Sequence, residues 1–167
     1  MLGWRRIAEL SNMMLSYYFW IRRIKPRCPQ DEDLLRAYPA IDNATVESSL
    51  LSIRILDDFF GNVKKKSDDV TASDFDSFPS ATGFLTKDQR EDINKSIAHL
   101  TMTRLDPTKT KYPYATLLKG VIPRCTDFLE FVISSGKVTK EEDVLFLKDT
   151  RTILDGIYKT YVAEFAP

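Results

Sequence analysis

Neither sign of charge is in excess in this chain. Over 167 residues, 24 Lys and Arg stand against 24 Asp and Glu, a formal net charge of zero. That balance argues against a nucleic-acid binder working by bulk charge, since such domains carry a clear basic surplus. A local basic patch stays open, with Lys64, Lys65 and Lys66 its best candidate, although three lysines after a helix end usually only solubilise. Cysteine is scarce too. Cys28 and Cys125 stand far apart and in no Cys-x-x-Cys or Cys/His ligand spacing, so they read as free thiols of a reducing compartment. No Gly-rich phosphate loop and no Gly-x-Ser-x-Gly elbow occurs. No apolar run is long: residues 13–21 fall short of the roughly 20 needed to cross a bilayer, and no small-residue cleavage site accompanies them. The expectation is a cytoplasmic protein with no membrane partner. Nothing sustains a period of two, and no internal repeat shows, so strands and solenoids drop out.

What is present reads as helix. A hydrophobic share of 43% and a charged share of 29% suit one globular domain over residues 1–167, able to bury about two-thirds of its unfolded surface. Five helical segments can be placed. The first spans about 4–24, with Ile7, Leu10, Met14, Tyr17 and Ile21 on one face and Pro26 as its stop. Beyond that stripe, Met13, Tyr18, Phe19 and Trp20 are more large apolar side chains than one buried face needs, which points to a second buried surface. A polar linker containing Pro29 and Pro39 follows, with at most a short turn near Leu34 and Leu35. The second helix starts at Asn43 as N-cap and ends at Gly61, its stripe being Val46, Leu50, Ile53, Leu56 and Phe60. Residues 62–85, rich in Lys, Asp and Ser, read as a loop too polar to pack.

The third helix opens on a Thr86/Gln89 capping box and runs to about Leu105, with Ile93, Ile97 and Leu100 inward. The fourth follows Pro113 and closes at Gly136. Its stripe is Leu117, Val121, Cys125, Phe128 and Val132, and Pro123 should kink or split it. The fifth begins on a second capping box at Thr139 and Glu142. Val144, Leu147, Leu154, Tyr158, Tyr161 and Phe165 then keep a three-four alternation. The fold class is all-α, an up-and-down bundle of about five helices with one long loop between the second and third.

Chemistry has few places to reside. His99 is the single histidine and the one group suited to proton transfer near neutral pH. On a regular helix Asp92, Lys95, His99 and Thr103 share one flank, while Asn94, Ala98 and Thr101 share the other. On the second helix Glu47, Arg54 and Asp58 share a face. The bland reading of Arg54–Asp58 is an i,i+4 ion pair worth a few tenths of a kcal/mol. The functional reading is a polar seam toward the third helix, where Arg54 could hold an anion or a phosphate and Asp58 could orient His99. The acidic group Asp68, Asp69, Asp74 and Asp76 lacks the turn glycine and terminal Glu of a calcium loop and reads as solvated. No metal or cofactor is expected.

A polar second helix ending in Asp57-Asp58-Phe59-Phe60 and a third carrying Asn94-Lys95-x-x-Ala98-His99-Leu100-Thr101 resemble the HEPN superfamily, over about residues 43–135. Similar strings recur in small bacterial HEPN-like proteins of unassigned function. The resemblance implies a bundle of four or five helices, a homodimer, and, in the ribonuclease members, an Arg-x4-6-His motif that cleaves RNA without metal at the dimer cleft. His99 matches the motif histidine. Asn94 and Asp92 stand where its arginine would, Arg90 comes a turn early, and Arg104 follows the histidine. Without an arginine in register, charge developing on a phosphate has no cation beside it unless Arg54 or Arg104 substitutes. The implied function is a HEPN-like module that self-associates and binds a partner protein, a nucleotide or RNA, through residues such as Asn94, Lys95, Thr101 and Asp58. The alternative is a metal-independent endoribonuclease of the toxin or phage-defence type using His99.

Overall fold

The computed structural model describes residues 3–28, 32–64, 66–75, 78–79, 82–98 and 114–162. Among them every regular element is helical, as the periodicity predicts. The first segment is α1 (Gly3–Met13) and α2 (Ser16–Phe19), continued by a π-helical turn (Trp20–Ile24) and a 3-10 turn (Lys25–Arg27) that holds Pro26. The others are α3 (Glu32–Phe60), α4 (Lys87–Ala98), α5 (Tyr114–Ser134) and α6 (Glu141–Ile157), with a closing π-helical turn (Tyr158–Val162). The chain is an all-α bundle.

Side-chain contacts orient the helices. The Tyr17 N–H donates to Ser49 Oγ, and Trp20 Nε1 donates to Asp42, so α1–α2 and α3 run antiparallel. Arg5 pairs with Asp143 at 3.4 Å, and Asn12 Nδ2 donates to Thr150 Oγ1 at 3.1 Å, so α1 and α6 run parallel. The Tyr114 hydroxyl donates to the Met14 carbonyl, tying the start of α5 to the end of α1. The helices enclose one contiguous core that includes Leu10, Met14, Ile53, Leu56, Phe60, Ile93, Leu118, Phe128, Leu147 and Leu154. The stripe expected on the fourth helix is buried throughout.

Several local expectations change. The linker around Pro39 is absent, because α3 begins at Glu32, runs through Pro39, and leaves Asn43 exposed within the helix instead of capping it. An interior proline costs a helix about 3 kcal/mol by removing an N–H and crowding the preceding turn. Tertiary contacts around Pro39 offset that cost. The Tyr38 ring packs edge-on to Trp20 at 5.7 Å, Lys25 Nζ lies 5.3 Å from the Tyr38 centroid, and Asp42 takes both Trp20 Nε1 and Lys25 Nζ. Similarly, α5 passes Pro123 as one helix and is not split. The α3 terminus is also shifted. Asn62, at φ 55°, is the left-handed residue, and the N–H groups of Asn62 and Val63 bond the carbonyls of Phe59 and Asp58. That is a Schellman closure with asparagine in the usual glycine place. Gly136, at φ 64°, closes α5 as expected.

At the helix starts the two capping boxes fare differently. Thr86 and Gln89 make theirs, Thr86 N to Gln89 Oε1 at 2.9 Å and Gln89 N to Thr86 Oγ1 at 3.2 Å. The second is not made. Lys140 is the N-cap of α6 and makes no side-chain cap, while Glu141, Glu142 and Asp143 fill the first turn, where carboxylates suit the helix dipole.

The loop expected to be too polar to pack does pack. Thr71 and Ala72 are buried, and Thr71 and Asp74 form a capping box around a 3-10 turn (Ala72–Asp74). Phe75 and Phe78, two apolar residues in a run of Asp and Ser, lie edge-on to the buried Phe128 ring at 5.0 and 5.3 Å. The acidic stretch therefore serves structure. Lys64 and Thr71 bonding to Asp74 draw its carboxyl down to about 2, and the same Lys64–Asp74 pair, at 2.7 Å, takes one lysine out of the candidate basic patch. Asp68 is exposed, as expected. Among the described residues no three His, Cys, Asp or Glu side chains gather as a metal site.

The surplus apolar residues of the first helix are mostly covered by the chain itself. A turn at Met14–Leu15 rotates the following residues, so Tyr18 and Trp20 are buried against the bundle while Met13 stays 40% exposed. No described helix is long and apolar enough to cross a membrane.

Both thiols are free. Cys125 is fully buried in α5, and burial pushes its thiol up to about 12 against the opposing hydrogen bond with Ser11. Cys28 is half-buried. Native protein treated with a thiol reagent at neutral pH is therefore expected to take one label, on Cys28. Cys125 should react only after unfolding, and rapid native labelling of Cys125, read by peptide mass, would contradict its burial.

Candidate functional site

Asp57 sits in the apolar stripe of α3, four residues after Ile53 and three before Phe60, and is fully buried. A carboxylate at such a position costs several kcal/mol unless it is hydrogen-bonded and paired. Asp57 is both. Its Oδ1 accepts the Phe84 and Leu85 N–H groups at 2.7 and 2.9 Å, and its Oδ2 accepts Arg90 Nη2. The approach needs Gly83, where a Cβ would stand 2.9 Å from Asp57 Oδ1. At Gly61 a Cβ would stand 2.9 Å from the Asp57 carbonyl oxygen and would only touch the Gly83 Cα, at 3.4 Å. Bare backbone lets residues 83–85 close over the carboxylate.

Asp58 extends the cluster. Its Oδ1 receives Arg90 Nη1 at 3.2 Å and also meets Arg54 Nη1. The Arg54 contact is an ion pair without hydrogen-bond alignment, and Arg54 Nε is buried with no hydrogen-bond partner. Two guanidinium groups thus face two carboxylates, and the local charge sums to zero. A polar seam does run between α3 and α4, and Arg90, which the sequence reading had not placed there, is the residue that crosses it.

The structure brings Arg54 and Asp58 together as the spacing predicts, but Arg54 is only 9% exposed and lies against Asp58. It does not stand open to an anion. Asn94 and Lys95, the two residues that follow the buried Ile93, are exposed on α4. His99, Thr101, Thr103 and Arg104 lie outside the described residues, as does Leu100, and so do the side chains of Ile97 and Ala98. Asp57 and the clamping role of Arg90 escaped the sequence reading. One signal could have found them: a carboxylate in register with an apolar stripe demands a cation, and Arg90 stands in the first turn of the next long helix.

Comparison with family models, curated proteins and solved structures gives a single result. None of them matches this chain.

Proposed function

We propose that this chain is a non-catalytic, HEPN-like helical module that self-associates and works by binding a partner protein, with RNA or a nucleotide as further candidate ligands. The observation that supports this reading most is the state of Arg54. Metal-free cleavage at a phosphate needs a proton-transfer group and a cation available to the developing charge. Arg54, the best cation that a neighbouring helix offers, is buried and committed to Asp58, and Arg90 is committed to both Asp57 and Asp58. Releasing Arg90 would leave the buried Asp57 carboxylate without its cation, and releasing Arg54 would take from Asp58 one of its two. The cluster thus reads as a fastener between α3 and α4.

The test is incubation of purified protein, in chelator, with single-stranded and structured RNA, beside a His99→Ala variant. Both proteins are expected to leave the RNA intact. Cleavage by the wild type that disappears in His99→Ala would overturn this reading and establish the endoribonuclease alternative.

A further inference from the structure

Where the start of α1, the segment after α3 and the end of α5 meet, three aromatic residues line a cavity of about 130 Å³. They are Trp4, Phe75 and Phe131, each half-buried, with Val132 and Val138 completing the apolar wall. Phe75 packs edge-on to Phe59 and Phe128, and Phe131 to Phe78, yet none of the three lining rings makes a ring contact with another. Aromatic rings pair favourably at centroid separations of about 4.5–7 Å, so one further ring between them has three rings to meet. An apolar space of about 150 Å³ stays dry and takes a single benzene ring, which sets the size of the occupant.

We infer that this cavity is a binding site for a small aromatic carboxylate, a single ring bearing an acid group. The polar supply of the site selects the acid. Ser135 Oγ is committed, donating to the Val132 carbonyl at 2.7 Å and accepting the Lys137 N–H at 3.2 Å. Lys137 is the one charged residue of the lining, and it is exposed and makes no ion pair among the described residues. Its ammonium, on a flexible stem, is free to meet an anion at the rim. A carboxylate on the ring supplies that anion. An amine in its place would be repelled, and a nucleotide is too large for a ring-sized space. The local chain path builds the site. Gly136, at φ 64°, turns the chain after α5, and Lys137 and Val138 line the cavity together with Phe131 and Val132. None of the lining belongs to the Asp57–Arg90 cluster, so the site is independent of the function proposed above.

The experiment titrates the full chain with sodium benzoate, toluene, benzylamine and the peptide Ala-Ala-Phe. Proton–nitrogen correlation spectra follow the Trp4 indole N–H, assigned with Trp4→Phe, and the amides of residues 131–138. Benzoate is expected to shift these signals saturably and to bind about fivefold more tightly than toluene or benzylamine, the worth of one charge-assisted contact at an exposed rim. Lys137→Met should bring benzoate down to the level of toluene. Val138→Trp, which fills the space, should abolish the response to every probe. The exposed Lys137 keeps the test decisive if Val138→Trp fails to fold by circular dichroism. Benzoate that gives no saturable shift would overturn the site. A response to toluene or benzylamine as strong as that to benzoate, or one that survives Lys137→Met undiminished, would overturn the carboxylate assignment. Tighter binding of Ala-Ala-Phe would overturn the free acid in favour of the C-terminus of a partner peptide.

Discussion

Asp57→Ala is expected to destabilise the protein by about 3–5 kcal/mol, the range for removing one partner of a buried, hydrogen-bonded ion pair. The carboxylate is fully buried and serves the Phe84 N–H, the Leu85 N–H and Arg90. Alanine leaves all three donors without their acceptor, and the guanidinium without one of its two counter-charges. Asp57→Asn should cost less, because its amide oxygen can still accept from the two backbone N–H groups. Urea unfolding reads the difference. Hydrogen exchange should locate the damage first at residues 84–95, where α4 joins α3. An Asp57→Ala variant within about 1 kcal/mol of wild type would mean that this carboxylate is not what fastens the two helices.

Phe128→Ala should cost about 3–5 kcal/mol, as large-to-small changes at fully packed aromatic sites do. Phe128 meets the rings of Phe59, Phe60, Phe75 and Phe78 at 5.2, 6.2, 5.0 and 5.3 Å, all tilted edge to face. Two of those rings belong to α3 and two to the segment after it, so a single truncation empties the junction between them. Amides near Phe75 should then lose protection ahead of global unfolding. Phe128→Leu, which retains most of the volume, is expected to cost less. If Phe128→Ala leaves the protection around Phe75 intact, the aromatic cluster does not anchor that segment.

The periodic parts of this chain were legible without coordinates. Apolar residues at spacings of three and four gave the all-α class, the buried stripe of α5 and most of that of α3. The Thr86/Gln89 box gave the start of α4. These signals are local, because a helix face and a cap are set by residues within one or two turns. The Arg54–Asp58 pair was legible for the same reason.

Only the tertiary structure decided what depends on distant neighbours. Pro39 reads as a helix breaker until Trp20, Lys25 and Asp42 are seen holding the turn around it. Residues 62–85 read as solvated until Phe75 and Phe78 are found against Phe128. The surplus apolar side chains at the end of the first helix pointed outward in sequence. Yet Tyr18 and Trp20 are buried against the bundle, and of the four only Met13 is exposed. Asp57 carries the same lesson. Sequence places a carboxylate in an apolar stripe, but its partners stand some thirty positions away, and only packing brings them within bonding distance and keeps Arg54 from solvent.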